Sequence, residues 1–262
     1  METNNKQTLL FDTHAHYDDD RFAEDRDELI ASLPENGVGA VVDIGCSFDT
    51  IPKAVALAEK YDFFYASVGF HPNDAQAAEE TPGALEMLRE YLRRSKVVAI
   101  GEIGLDYHWD EPSREVQKKW FEIQLELAEE TGYPVIIHDR DAHGDTMDII
   151  RRHPKVAGIF HSFSGSPEMA EELVKRGYYI SFSGVLTFKN AAKLPEVAKS
   201  VPTDKMLIET DCPYLAPHPH RGQRNDSILM KHTAQKLAEI KGMTYDEVCR
   251  ITFENAMRMY RI

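Results

Sequence analysis

Two histidines separated by one residue, His14 and His16, follow an apolar run and an acid in Leu9-Leu10-Phe11-Asp12-Thr13-His14-Ala15-His16. Residues two apart in a strand share a face, so both imidazoles can aim at one point where the strand ends. Neutral imidazole ligates zinc and other divalent transition metals. Alone, the pair is more simply two surface histidines in a loop. Similar placements recur, however. His138 closes Val135-Ile136-Ile137, His161 closes Gly158-Ile159-Phe160, Glu102 sits between glycines after Val97-Val98-Ala99-Ile100, and Glu209 and Asp211 follow Met206-Leu207-Ile208. A histidine directly after an apolar run is costly to bury without a partner. Any one of them could be a core histidine satisfied by backbone. Four histidines and two carboxylates at corresponding positions are harder to explain in that way.

Those positions correspond because the chain alternates. Eight apolar, β-branched runs are each followed by a segment of helical period: Leu9–Thr13, Ala40–Gly45, Phe63–Val68, Val97–Ile100, Val135–His138, Gly158–His161, Tyr178–Phe182 and Lys205–Glu209. Helical patterns lie over Arg21–Leu33, Ile51–Lys60, Pro82–Arg93, Ser113–Glu130, Thr146–Arg152, Ser166–Lys175, Asn190–Ser200, Ile228–Ile240 and Tyr245–Tyr260. Such alternation implies parallel strands joined by helical crossovers, and eight units in about 250 residues is the size of a (β/α)8 TIM barrel. A doubly wound open sheet competes, but no Gly-x-Gly-x-x-Gly turn follows the first run. No linker or low-complexity stretch divides the chain, so residues 1–262 read as a single α/β domain. In a parallel barrel the chemistry gathers at the C-terminal ends of the strands. The residues singled out above would then share one rim.

Composition narrows the partners. The net charge of −14 argues against a broad basic surface for nucleic acid or anionic membrane. An anionic substrate is still compatible, because a buried metal centre supplies positive charge locally. Three distant cysteines, Cys46, Cys212 and Cys249, give no disulfide framework and no zinc spacing. The polar Met1–Thr8 lacks a signal core, and no run is long enough to span a membrane. A cytoplasmic protein with no obligatory protein partner is expected.

The donor set suits a metal pair. Two divalent ions about 3.5–4 Å apart need an anionic bridge and several terminal ligands. Glu102 is the natural bridge; a lysine bridge is unavailable, since Lys96 lies at the wrong end of its strand. One ion would take His14, His16, Glu102 and Asp211, and the other Glu102, His138 and His161. Water between them would be the nucleophile, with Asp211 accepting its proton. Glu209, two residues earlier, would orient a ligand from behind or form a structural ion pair.

The motifs also resemble a known family. Phe11–His16, Gly69-Phe70-His71-Pro72, Gly101–Tyr107, Pro134–His138, Phe160–Gly165 and Glu209–Leu215 resemble, in order and over nearly the whole chain, the TatD family of metal-dependent hydrolases within the amidohydrolase-type barrels. The resemblance implies the same six ligands, His14, His16, Glu102, His138, His161 and Asp211. It also implies a TIM-type barrel and divalent ions of the magnesium, manganese or zinc class. Members are usually described as deoxyribonucleases, often 3′-to-5′ exonucleases. Asp139 departs from the small residue common after the fifth-strand histidine.

Other residues have two readings each. His71 is a substrate-phosphate contact or a loop histidine, and Arg140 is a phosphate fork or a salt-bridge partner. Tyr107 stacks a base or packs the rim. Ser162 and Ser164 donate to phosphate or shape the turn at Gly165, and Asp106 orders its loop. The stiff Pro217-His218-Pro219-His220 segment, with Arg221 and Arg224, receives a nucleic-acid end or is only a loop fixed by proline. Three functions are therefore open. The first is a two-metal phosphodiesterase acting on DNA ends. The second is a hydrolase of a small ester, amide or phosphodiester. The third is a non-catalytic barrel, against which the complete ligand set speaks.

Overall fold

A computed structural model describes residues 9–109 and 111–262; the polar segment 1–8 lies outside the described residues. Eight parallel strands pair in chain order: β1 Leu10–Ala15, β2 Val38–Gly45, β3 Phe64–Val68, β4 Val97–Asp106, β5 Val135–Arg140, β6 Gly158–Phe160, β7 Tyr179–Phe182 and β8 Met206–Ile208. The helices are α1 Arg26–Ser32, α2 Thr50–Lys60, α3 Ala75–Glu80, α4 Ala84–Tyr91, α5 Arg114–Thr131, α6 His143–Arg152, α7 Pro167–Lys175, α8 Leu194–Ser200, α9 Met230–Lys241 and α10 Tyr245–Tyr260. This is the (β/α)8 architecture expected from the alternating pattern. No helix among the described residues is long and apolar enough to cross a membrane.

β1 meets the segment that follows β8 through a bridge between Ala15 and Cys212. The amide of Asp211 donates to the carbonyl of His14 at 2.9 Å, and that of His16 to Cys212 at 2.8 Å. Buried Asp12 ties this seam. Its carboxylate accepts from the Thr210 amide (2.9 Å), the Thr210 hydroxyl (2.6 Å) and the Ser227 hydroxyl (2.6 Å). Burial pushes the Asp12 carboxyl up to about 7, against the pull of those donors. From α10, Tyr260 reaches back and donates to the carbonyl of Thr13 at 2.8 Å.

Several boundaries differ from the sequence pattern, each for a local reason. β4 runs on through Glu102 to Asp106, buried throughout, so Glu102 lies inside a strand rather than after one. β8 stops at Ile208, which leaves Glu209 and Asp211 just beyond it; Asp211 has a left-handed backbone, φ 58°. α8 starts only at Leu194, with Pro195 in its first turn where proline is tolerated, so 190–193 stay in the rim loop. The short helix α3 precedes the expected one, and Thr81-Pro82-Gly83 separates α3 from α4. α1 begins at Arg26, after a separate turn over Asp20–Phe22.

Gly104 fixes how β4 lies on β5. It pairs with His138, its φ is +141°, and a Cβ there would sit 2.0 Å from the His138 carbonyl oxygen. Gly104→Ala must therefore both strain the backbone and push apart the strands that carry Glu102 and His138. The expected loss is about 2–4 kcal/mol of unfolding free energy. Urea denaturation checks it, and a wild-type midpoint with wild-type slope would show that the contact relaxes freely.

Candidate metal centre

Six of the side chains gathered by sequence reasoning meet at one point on the C-terminal rim. The Glu102 carboxylate is at the centre. Its Oε1 lies 2.6 Å from His138 Nδ1 and 2.8 Å from His161 Nε2, while Oε2 lies 3.5 Å from His14 Nε2. Asp211 Oδ1 is 3.6 Å from His14 Nε2 and 3.5 Å from His16 Nε2. The two carboxylate oxygens of Glu102 thus face different histidines.

The charges respond to one another. Burial alone would raise the pKa of Glu102, but His161, His14, His138 and His71 together hold it well below the ordinary carboxylate range. Burial pulls His16 down, yet its hydrogen bond to Asp211 and the charges of Asp211 and Glu102 carry it up to about 9. His161 is likewise opposed by burial and driven well above its ordinary value by Glu102, with help from Glu209.

The donor set fits divalent cations. Two pairs of imidazole nitrogens approach head-on: His14 Nε2 to His16 Nε2 at 3.2 Å, and His138 Nδ1 to His161 Nε2 at 3.2 Å. Two such nitrogens cannot both donate to each other, but both can point lone pairs at a cation between them. Three groups of ligand atoms lie within 4.8 Å of one another: His14, His16 and Glu102; His14, His161 and Asp211; and His71, Glu102 and His138.

The candidate ligands are held from behind. Glu209 is fully buried, 3.4 Å from His161 Nδ1, and accepts the Ser162 amide at 2.6 Å. Asp106 Oδ2 lies 3.2 Å from His138 Nε2, while its other oxygen accepts the His108 amide at 3.0 Å. Asp106 therefore backs a histidine as well as ordering its loop, a role that its position after the strand did not reveal. His71 is nearer the cluster than a pure phosphate contact requires: its Nε2 is 3.8 Å from Glu102 Oε1, and its ring is edge-on to His138.

The remaining candidates separate. His138, Arg140, His161, Ser162, Ser164 and Asp211 all line one cleft of about 730 Å³, walled further by the 190–194 loop and Tyr214. Ser162 Oγ lies 2.9 Å from Ser183 Oγ. Tyr107 is turned away from the cluster: its hydroxyl donates to Asp145 at 2.6 Å, and Arg114 covers its ring. These contacts to α6 and α5 set that orientation. In the proline loop, Arg224 is bonded to Asp25, Arg221 lies over Phe188, and the His218 amide donates to Thr187. Lys193 and Tyr214 were assigned no role from sequence; a lone lysine in the helical pattern over Asn190–Ser200 carries no signal.

A (β/α)8 barrel with a histidine–carboxylate cluster on its C-terminal rim is the architecture of the metal-dependent barrel hydrolases. The family model described as TatD related DNase matches residues 11–261. A Bacillus subtilis protein described as the uncharacterized metal-dependent hydrolase YabD is 46% identical over 256 residues, covering 97% of this chain and all of that one. YcfH of Escherichia coli K12, described in the same words, is 34% identical over 259 residues, covering 97% of this chain and 96% of its own. The crystal structure of YjjV, a TatD homolog from Escherichia coli K12, superposes with a TM-score of 0.89 at 32% identity over 97% of this chain and 98% of that one. The chain belongs to the TatD family of metal-dependent hydrolases.

Protons and cations must compete at this cluster. Asp211 and Glu102 push His16 up to about 9, so a cation bound there would displace its proton. Apparent affinity should fall about tenfold per pH unit below neutrality for each proton displaced. Calorimetric titration of Mn2+ in buffers of different ionisation enthalpy reads the released proton directly. Affinity independent of pH, with no proton release, would contradict this arrangement.

Proposed function

We propose that the protein is a divalent-metal-dependent phosphodiesterase that shortens DNA from its ends, of the 3′-to-5′ exonuclease type. The observation that carries this is the Glu102 carboxylate, whose Oε1 faces His138 and His161 and whose Oε2 faces His14, beside a cleft that also presents cations. Membership of a family described as TatD related DNase supports the choice of substrate. His14, His16, Glu102 and Asp211 would hold one ion and Glu102, His138 and His161 the other, with His71 adjacent to the second. Magnesium, manganese or zinc suits these oxygen and imidazole donors. When bound, two such ions supply Lewis acidity at the phosphoryl oxygen and lower the pKa of the attacking water.

The chain's own residues do the rest. Asp211 takes the proton of the attacking water. Its carboxylate is held ionised, because His16 and the neighbouring imidazoles outweigh the effect of burial. A weakly basic carboxylate suffices once the water is acidified. Glu209 and Asp106 keep His161 and His138 turned toward Glu102. Arg140 and the Ser162 hydroxyl contact substrate phosphate from the cleft wall. The three free cysteines suit a reducing, cytoplasmic setting.

A small ester, amide or phosphodiester is the competing substrate, favoured by the net charge of −14. Single-stranded DNA and panels of these small substrates, each with Mg2+, Mn2+ or Zn2+, separate the two. Mononucleotide release from the 3′ end is expected, with Asp211→Asn lowering kcat by about 10²–10⁴-fold. Turnover of a small ester alone would replace the nuclease assignment, and full activity in Asp211→Asn would remove the proton-accepting role.

A further inference from the structure

Tyr214 is an exposed aromatic in an unusual place. Among the described residues the large apolar side chains left open to solvent are Leu9, Trp109 and Tyr214; of these, only Tyr214, 47% exposed, lines the cleft beside Asp211. Its backbone, its hydroxyl and one ring face are all held. The Tyr214 amide donates to the Asp211 carbonyl at 2.9 Å, and the Tyr214 carbonyl accepts from Asn225 Nδ2 at 2.7 Å. The hydroxyl donates to Asp19 at 3.1 Å, so it is already occupied. The Arg21 guanidinium covers one ring face at 3.9 Å from the centroid, and Arg21 is itself pinned to Asp19 by contacts of 3.2 and 3.1 Å. The ring is edge-on to His16, 6.3 Å between centroids.

The same cleft carries two cations of a different character from Arg21. Arg140 and Lys193 are exposed in its wall, and neither side chain has a hydrogen bond or ion pair among the described residues. Elsewhere on this rim Arg21 is committed to Asp19 and Arg224 to Asp25, while Arg221 lies over the Phe188 ring. In a chain of net charge −14, two uncommitted cations beside a candidate metal centre leave room for an anion.

Building on the nuclease assignment above, we propose that Tyr214, backed by Arg21, is a stacking platform for the terminal base of a single strand, and that Arg140 and Lys193 hold the phosphates leading to it. A rigid ring whose hydroxyl is already bonded offers a π-face and no hydrogen-bond code. Every base has a π-face, so the site discriminates unpaired from paired ends and not one base from another. Preorganisation by Asp19, Arg21 and Asn225 means that little side-chain freedom is lost on binding. The cations add a backbone contact that is screened by salt.

Two readouts test this on the metal-loaded protein. The first is KM for a single strand with a normal 3′ end and for the same strand ending in an abasic sugar. The second is quenching of a 3′-terminal 2-aminopurine in a strand with a phosphorothioate at the last linkage. Tyr214→Leu is expected to raise KM about tenfold for the normal end. It should leave the abasic end unchanged and abolish the quenching. Tyr214→Phe is expected to retain most of both. Arg140→Gln and Lys193→Gln should raise KM for both strands and each lower the slope of log affinity against log salt by about 0.7. Strand cleavage with quenching unchanged in Tyr214→Leu would overturn the platform and leave the nuclease standing. A folded wild-type protein that neither cleaves nor quenches any strand would overturn the nuclease, and the platform with it.

Discussion

A buried carboxylate among imidazoles governs this molecule. Glu102 cannot be removed from water cheaply unless positive charge surrounds it. Here four imidazoles converge on it, and Asp211 balances two of them from the other side. The cluster is self-consistent in charge only with protons or cations present. The raised pKa of His16 and of His161 and the depressed pKa of Glu102 are expressions of the same demand. A divalent ion on each side of Glu102 would meet it with fewer conflicting protons. The head-on imidazole pairs would then become ligand pairs.

The barrel exists in the form needed to hold that cluster. Its candidate ligands come from β1 and the residue after it, β4, β5, the end of β6 and the segment after β8, so they span 14 to 211 in sequence and a few ångströms in space. Closure of the β1–β8 seam brings His14 and His16 to Asp211. Asp12, Thr210 and Ser227 make that closure a polar lock rather than an apolar one, and such buried networks specify a unique arrangement when every member is satisfied. The same segment after Asp211 presents Tyr214 to the cleft, so the seam positions both the candidate chemistry and the candidate recognition surface.

Much of this was legible in the sequence because parallel strands buried on both faces read as short apolar runs, and a polar residue ending such a run stands out. All eight strands and the converging residues were found in that way. Alternation over the first strand located His14 and His16, although its pairing with β2 is irregular between Asp12 and Ala15. Other features depend on tertiary contacts that no local pattern encodes. The extension of β4 through Glu102 is decided by pairing with β5. The direction of Tyr107 is decided by Asp145 and Arg114. The backing of His138 by Asp106, and the proximity of His71 to Glu102, require the barrel to be closed first. Lys193 gained meaning only when α8 began late and left its loop on the rim.

The central claim is that Glu102 joins two cation sites, and the metal content of the purified chain tests it most directly. After equilibration with Mn2+ or Zn2+ and removal of free ion, elemental analysis should give close to two ions per wild-type chain. Glu102→Gln, retaining the wild-type circular dichroism spectrum, should fall below one. A folded Glu102→Gln protein with the wild-type metal content, or a wild-type protein that holds no ion, would contradict the account.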